Sequence, residues 1–310
     1  MSAVDYDTLL DEEVRAYIAR SATFYPPDAI SLSIEGLREV YDRMCAAFHA
    51  GYPDGVTATD LPYGGVPCRR YEPAQPSSVT VLYLHGGGFV VGGLHSHDDV
   101  CAEICSRTGY RVVSADYALC PENSFPSCYN DALAAFHAVK QAHPGPIVLA
   151  GDSAGGNLAA AVAHAERHQD VLIGQVLIYP GLGGDQTKGS YVTHAQAPEL
   201  TAADLEFYKT LRTGGAPPPE GDPRYAPLHD SDFSGLPATV ILTAECDPLA
   251  SDGESYRDAI LAAGGHAAWI NGKGLVHGCL RARHCSARAG AFFDRIVSAV
   301  EVLGQGRWVY

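Results

Sequence analysis

The 310-residue chain reads as an α/β protein built on a mostly parallel sheet with helices on both faces. Three observations predict this. Short β-branched runs alternate with longer helical patterns from about residue 66 onward, the rhythm of strand–helix–strand units. The interiors of the runs IVLA, QVLIYP and TVILTA are apolar on both faces, as buried parallel strands should be. Hydrophobic residues make up 46% and charged residues 18%, enough apolar material for one large core.

The elements follow in order. Residues 1–50 read as helices: Leu9, Leu10, Val14, Tyr17 and Ile18 recur at helical spacing, and Leu37, Val40, Tyr41, Met44 and Phe48 repeat the pattern after Pro26-Pro27. Strands are expected at Val79–Leu84, Arg111–Ala115, Ile147–Ala150, Gly174–Tyr179, Ala238–Thr243 and His266–Ile270. Helices are expected near 97–108, 127–142, 156–168, 251–263 and 286–303. Residues 181–235 break the rhythm. They hold one helical pattern, Thr201–Leu211, and the run GGAPPPEGDP, and read as an insertion between two strands. No repeat of 20–50 residues is evident.

Composition excludes several classes. Asp plus Glu is 36 and Lys plus Arg is 21, a formal net charge of −15. So acidic a surface repels phosphate backbones and anionic lipid, which argues against nucleic-acid and membrane partners. No apolar run reaches the ~18–20 residues needed to cross a bilayer. The opening MSAVDYDTLLDEEVRAYIAR is acidic and amphipathic and lacks a secretory pattern. The nine Cys include no C-x-x-C and read as buried free thiols of a reducing compartment. A cytoplasmic location is the expectation.

The sharpest motif is Gly151-Asp152-Ser153-Ala154-Gly155-Gly156. It contains G-x-S-x-G, directly after IVLA and directly before the helix-like NLAAAVAHAERH. The pattern is short enough to arise by chance, and its strand–turn–helix setting gives it meaning. So tight a turn strains the backbone at Ser153 and raises its hydroxyl at a helix N-terminus. A second motif, His85-Gly86-Gly87-Gly88, ends the strand VTVLYLH. Its glycines leave amides uncovered, able to converge on an oxyanion. Both motifs follow strands and so share the carboxyl edge of the sheet, where α/β folds bind ligands.

A serine nucleophile needs a base, and the base an orienting acid. Asp247 directly follows TVILTAEC, and His277 follows the last expected strand in the loop NGKGLVHG. The spacing of 30 from one to the other fits one helix, one strand and a loop. Asp252 is the fallback acid but falls inside the following helix, and Glu245 falls on the strand. His284 lies at the edge of the final helix. His95-Ser96-His97-Asp98-Asp99 superficially matches a zinc pattern, but Val100 stands where another His is needed, so no metal is expected. Cys246 and Cys279, beside the acid and the base, read as packing residues.

Together these motifs resemble the hormone-sensitive-lipase-like family of α/β-hydrolase esterases, in its bacterial branch with a G-D-S-A-G elbow. D-Y-x-L-x-P-E-x-x-F-P at 116–126, Asp131, G-L-P-A-T-V-I-L-T-A-E-C-D-P-L at 235–249 and H-G at 277–278 carry the resemblance further, over about residues 60–300. It implies an α/β-hydrolase fold with a mostly parallel sheet of about eight strands and a helical cap. Residues 1–50 would be one cap segment and 181–235 a cap insertion within a catalytic domain of 51–310. It implies Ser153, Asp247 and His277 as the catalytic set and the amides of Gly87, Gly88 and Ala154 as the oxyanion hole. It implies no cofactor, a small-molecule ester substrate and a homodimer. Cys279 stands where Phe commonly follows H-G in the family, which changes the wall near His277. The reading is a serine carboxylesterase for short, soluble esters. The alternatives are an amidase or peptidase with the same three residues, and a non-catalytic small-molecule receptor on the same fold.

Overall fold

The computed structural model describes residues 4–26 and 32–310. The parts of the 1–50 segment at 1–3 and 27–31 lie outside the described residues. Eight strands form a single sheet in the order β1-β2-β4-β3-β5-β6-β7-β8. The strands β3 (Thr80–Leu84), β4 (Arg111–Ala115), β5 (Ile147–Asp152), β6 (Leu172–Ile178), β7 (Ala238–Cys246) and β8 (Ala267–Val276) run parallel. β1 (Val56–Tyr63) and β2 (Val66–Pro73) add an antiparallel hairpin at one edge.

Side chains alternate between two cores because successive residues of a strand point to opposite faces. Leu82 and Leu84 of β3 enter one cluster with α5 (Ser127–Ala142), α6 (Ala154–Ala165) and α9 (Ala250–Ala262). Val81 and Tyr83 enter the other, with α4 (Asp98–Thr108) and α10 (Ala287–Gly304). β3 and β5 are buried at every position, which explains their unbroken apolar runs. α6 is a strong helix former, rich in alanine, and its small side chains let it lie close on the sheet, almost wholly buried.

The six expected strands all form, with ends displaced by a few residues. Two differences have physical causes. The hairpin β1–β2 was not anticipated from the residues: it carries Pro62, Pro67 and Pro73 and is polar on much of its surface, as an edge may be. The segment NGKGLV, expected to be a loop, continues β8 up to Val276. There the register between β7 and β8 shifts, between Ala244 and Cys246, and Glu245 accepts from the Gly274 N–H at 2.8 Å and from Lys273 Nζ at 2.7 Å. His277 therefore follows a strand end directly.

At the N-terminus lie α1 (Tyr6–Leu9), α2 (Glu12–Ala22) and α3 (Ile34–Phe48). The 181–235 stretch contains α7 (Ser190–Thr193), α8 (Ala202–Arg212) and a 3-10 turn at Pro227–His229. Thr201 and Asp204 form a reciprocal capping box that starts α8.

Candidate active site

Four loops converge because each leaves the carboxyl end of a parallel strand: His85 after β3, Ser153 after β5, Asp247 after β7 and His277 after β8. β5 ends at Asp152 and α6 starts at Ala154, so the reversal falls on one residue. Ser153 adopts φ 54° and ψ −117°, a region nearly closed to a residue with a Cβ. Its N–H donates to the Ile178 carbonyl at 2.8 Å, which pins the strained turn. A Cβ at Gly155 would run into the carbonyls of Leu84 and His85. Only glycine fits there.

The structure brings the three expected side chains into one hydrogen-bonded line. Ser153 Oγ lies 2.8 Å from His277 Nε2, and His277 Nδ1 lies 2.7 Å from Asp247 Oδ2. A carboxylate only accepts, so Nδ1 carries the proton and Nε2 accepts from the serine hydroxyl. Asp247 is fully buried, and its second oxygen accepts from the Leu249 N–H at 2.8 Å. Both carboxylate oxygens are thus held, which fixes the ring they orient. The Tyr179 ring packs on the imidazole at 4.7 Å between centroids.

The glycine loop lies beside this line. Gly87 and Gly88 have φ of 126° and 60°. The amides of Gly87, Gly88 and Ala154 donate to no backbone carbonyl among the described residues. Tyr208 of α8 closes over Gly88: a Cβ at Gly88 would strike its ring.

No sequence motif marks what braces the loop. Asp152, next to Ser153, is buried and ties the two motifs together. Its Oδ1 accepts from Tyr83 Oη at 2.8 Å and from the Gly86 N–H at 2.9 Å, and its Oδ2 meets His97 Nε2 at 3.1 Å. Burial pushes this carboxyl up, but His97 and the Tyr83 hydroxyl outweigh it and hold it well below the usual carboxylate range. His85 is neutral at ordinary pH, pushed down to about 4 by burial and then by His97. It stacks on Tyr117 at 4.3 Å, whose hydroxyl donates to the His85 carbonyl at 2.6 Å. The one sequence signal at His97 is its place in H-S-H-D-D, a pattern that resembles a metal site. The structure sends those side chains apart: His95 pairs with Asp42 at 2.7 Å, and His97 with Asp152.

The fallback acid Asp252 points elsewhere. Its Oδ2 accepts from the N–H groups of Leu182, Gly183 and Gly184 and from Tyr191 Oη. Burial pushes it up to about 6. His284 pairs with Glu103 at 3.0 Å. Cys246 and Cys279 are buried free thiols; burial pushes Cys246 up to about 11 and raises Cys279 further. Thiols of that kind are inert packing groups.

The α/β-hydrolase-fold family profile matches residues 81–281. The chain is 34% identical over 265 residues to a carboxylic ester hydrolase of Mycobacterium tuberculosis, covering 79% of this chain and 70% of that protein. It is 34% identical over 254 residues to an ethyl acetate hydrolase of Pseudomonas putida, covering 77% and 78%. Among solved structures, an esterase from the archaeon Pyrobaculum calidifontis superposes with a TM-score of 0.85 at 29% identity, over 94% of this chain and 98% of that one. An esterase of the bacterial hormone-sensitive lipase family superposes with a TM-score of 0.84 at 25% identity, over 94% and 98%. The chain belongs to the α/β-hydrolase-fold family, in its hormone-sensitive-lipase-like esterase branch.

Proposed function

We propose that this protein is a serine carboxylesterase that hydrolyses short, soluble esters through an acyl-enzyme. The observation that carries the reading is the line Ser153–His277–Asp247, hydrogen-bonded at 2.8 and 2.7 Å beside uncommitted amides. His277 takes the Ser153 proton as the hydroxyl oxygen attacks the ester carbonyl, and Asp247 stabilises the imidazolium that forms. The amides of Gly87, Gly88 and Ala154 receive the oxyanion, already aimed and needing no reorganisation. His277 then returns the proton to the leaving alkoxide, and later activates the water that cleaves the acyl-enzyme.

Two features favour small acyl groups. Tyr208 closes the space above Gly88, and similar proteins carry the names ethyl acetate hydrolase and acetyl esterase. In this reading residues 1–50 and 181–235 form the cap over a catalytic domain of 51–310. The protein acts in the cytoplasm as a homodimer.

A fluorophosphonate probe tests the reading. It should label the wild-type protein and fail on Ser153→Ala, whose turnover should fall by roughly 10⁵–10⁶-fold. Wild-type hydrolysis of aryl esters should peak at short acyl groups and exceed that of matched amides. Near-normal turnover by Ser153→Ala, or a preference for long acyl chains, overturns the assignment.

A further inference from the structure

The catalytic line is only as good as the loop that carries its base. That loop leaves β8 at Val276, turns at Gly278 with φ 72° and enters a 3-10 turn at Cys279–His284. Asp247 holds the imidazole itself. The backbone behind it is held from the opposite end of the chain.

Tyr17 of α2, 2% exposed, donates its hydroxyl to the Gly278 carbonyl at 3.1 Å. Three residues further along the loop, Arg281 reaches back to α3. Its Nε donates to Cys45 Sγ at 3.4 Å, its Nη2 donates to Tyr41 Oη, and its guanidinium lies 4.8 Å from the centre of the Tyr41 ring. No carboxylate lies within ion-pair distance of Arg281 among the described residues. The guanidinium is therefore anchored by a phenol and a thiol of the N-terminal helices. The partners are separated by 236 to 261 residues, so these contacts exist only when α2 and α3 are docked.

Backbone strain marks the same corner. Four non-glycine residues among those described have positive φ: Phe89, Ser153, Tyr179 and Glu199. Phe89 follows the glycine loop, Ser153 is the elbow and Tyr179 packs on His277. Such strain persists where the surroundings over-determine it, often at functional sites. Glu199, at φ 69°, belongs with them. Burial raises its carboxyl, against the opposing pull of the Arg281 and His277 side chains.

We propose that Tyr17 and Arg281 are positioning residues for His277. Through them, docking of α2 and α3 holds the base in register with Ser153 and Asp247. The proposal rests on His277 acting as the general base. It makes the first two anchored helices part of the machinery that aligns the proton transfer, in addition to any part they play in covering substrate. Misplacement of a catalytic group by as little as about 1 Å can cost on the order of 10²-fold in rate, so one loosened hydrogen bond at Gly278 should be visible in turnover.

The experiment compares Tyr17→Phe, Arg281→Lys and the control Tyr52→Phe, which removes an exposed hydroxyl bonded to Asp98. Turnover, KM and the second-order rate of fluorophosphonate labelling are measured on folded full-length protein, with melting temperatures alongside. Tyr17→Phe should lower kcat by about 5–10-fold with KM changed by less than about twofold, and labelling should slow in parallel. Arg281→Lys keeps the charge but loses the fork to Tyr41 and Cys45, and should slow both steps likewise. Tyr52→Phe should do neither. A lower melting temperature with unchanged kcat and labelling rate per folded molecule would mean the contacts serve stability alone, and overturns the proposal. Unchanged values throughout overturn it too. Failure of the wild-type protein to label sinks the hydrolase reading instead.

Discussion

At the scale of single residues, Asp152 shows how a carboxylate that touches no substrate can shape a site. It sits between Ser153 and the glycine loop, accepting from Tyr83 and from the Gly86 N–H. Asp152→Asn keeps the shape but removes the charge those donors were built around. It should destabilise the fold by about 2–3 kcal/mol in chemical denaturation, and lower kcat through the loosened Gly86–Gly88 backbone. The pH dependence has a definite sign. The folded carboxyl lies below the roughly 3.9 of an unfolded chain. Its stabilisation is present above about pH 4 and is lost as pH falls toward the folded value. The Asn variant should lack that part of the acid-unfolding limb. A wild-type-like acid profile in this variant would contradict the role.

At the scale of elements, the parallel strands and the helices between them were legible because they are apolar in simple patterns. The elbow and glycine loop were legible because chemistry demands glycine at fixed offsets from a serine or a strand end. Asp247 and His277 followed from their places after strands. The rest was hidden for physical reasons. The β1–β2 hairpin is half-exposed and proline-bearing, so no alternation announces it. The end of β8 depends on a register shift and on Glu245 across the strand pair, which no local pattern encodes. His97 is defined by a partner 55 residues away.

Asp252 is a further case, an acid on α9 that proved to hold the entry of the 181–235 stretch. It is buried with a folded value of about 6, above that of an unfolded Asp. Between about pH 4 and 6 the folded state binds the extra proton, so stability falls as pH rises through that window, by about 3 kcal/mol in all. Asp252→Asn keeps an oxygen for the Leu182 and Gly183 amides but cannot titrate. The drop in melting temperature between pH 4.5 and 7 should shrink in this variant. An unchanged drop would show that other groups produce it.

At the scale of the whole molecule, the net charge of −15 sets a field that no single contact reveals. Surface potential acts over roughly 10 Å at 0.1 M salt and is screened beyond that. An anionic ester is repelled on approach, so its kcat/KM should rise a few-fold between about 10 and 200 mM sodium chloride, with a matched neutral ester unaffected. Equal salt responses of the two esters would place the charge too far from the cleft to matter.

The order of parts along the chain has its own consequence. Ser153 and the amides of Gly87, Gly88 and Ala154 all precede the largely exposed Gly/Pro stretch at 214–221, while Asp247 and His277 follow it, at the ends of neighbouring strands joined through α9. The hydrogen-bonded line is therefore bipartite, with Ser153 in one half and Asp247 and His277 in the other. A chain divided at that stretch gives two inert pieces, and hydrolysis becomes a report on their reunion across the β6–β7 seam.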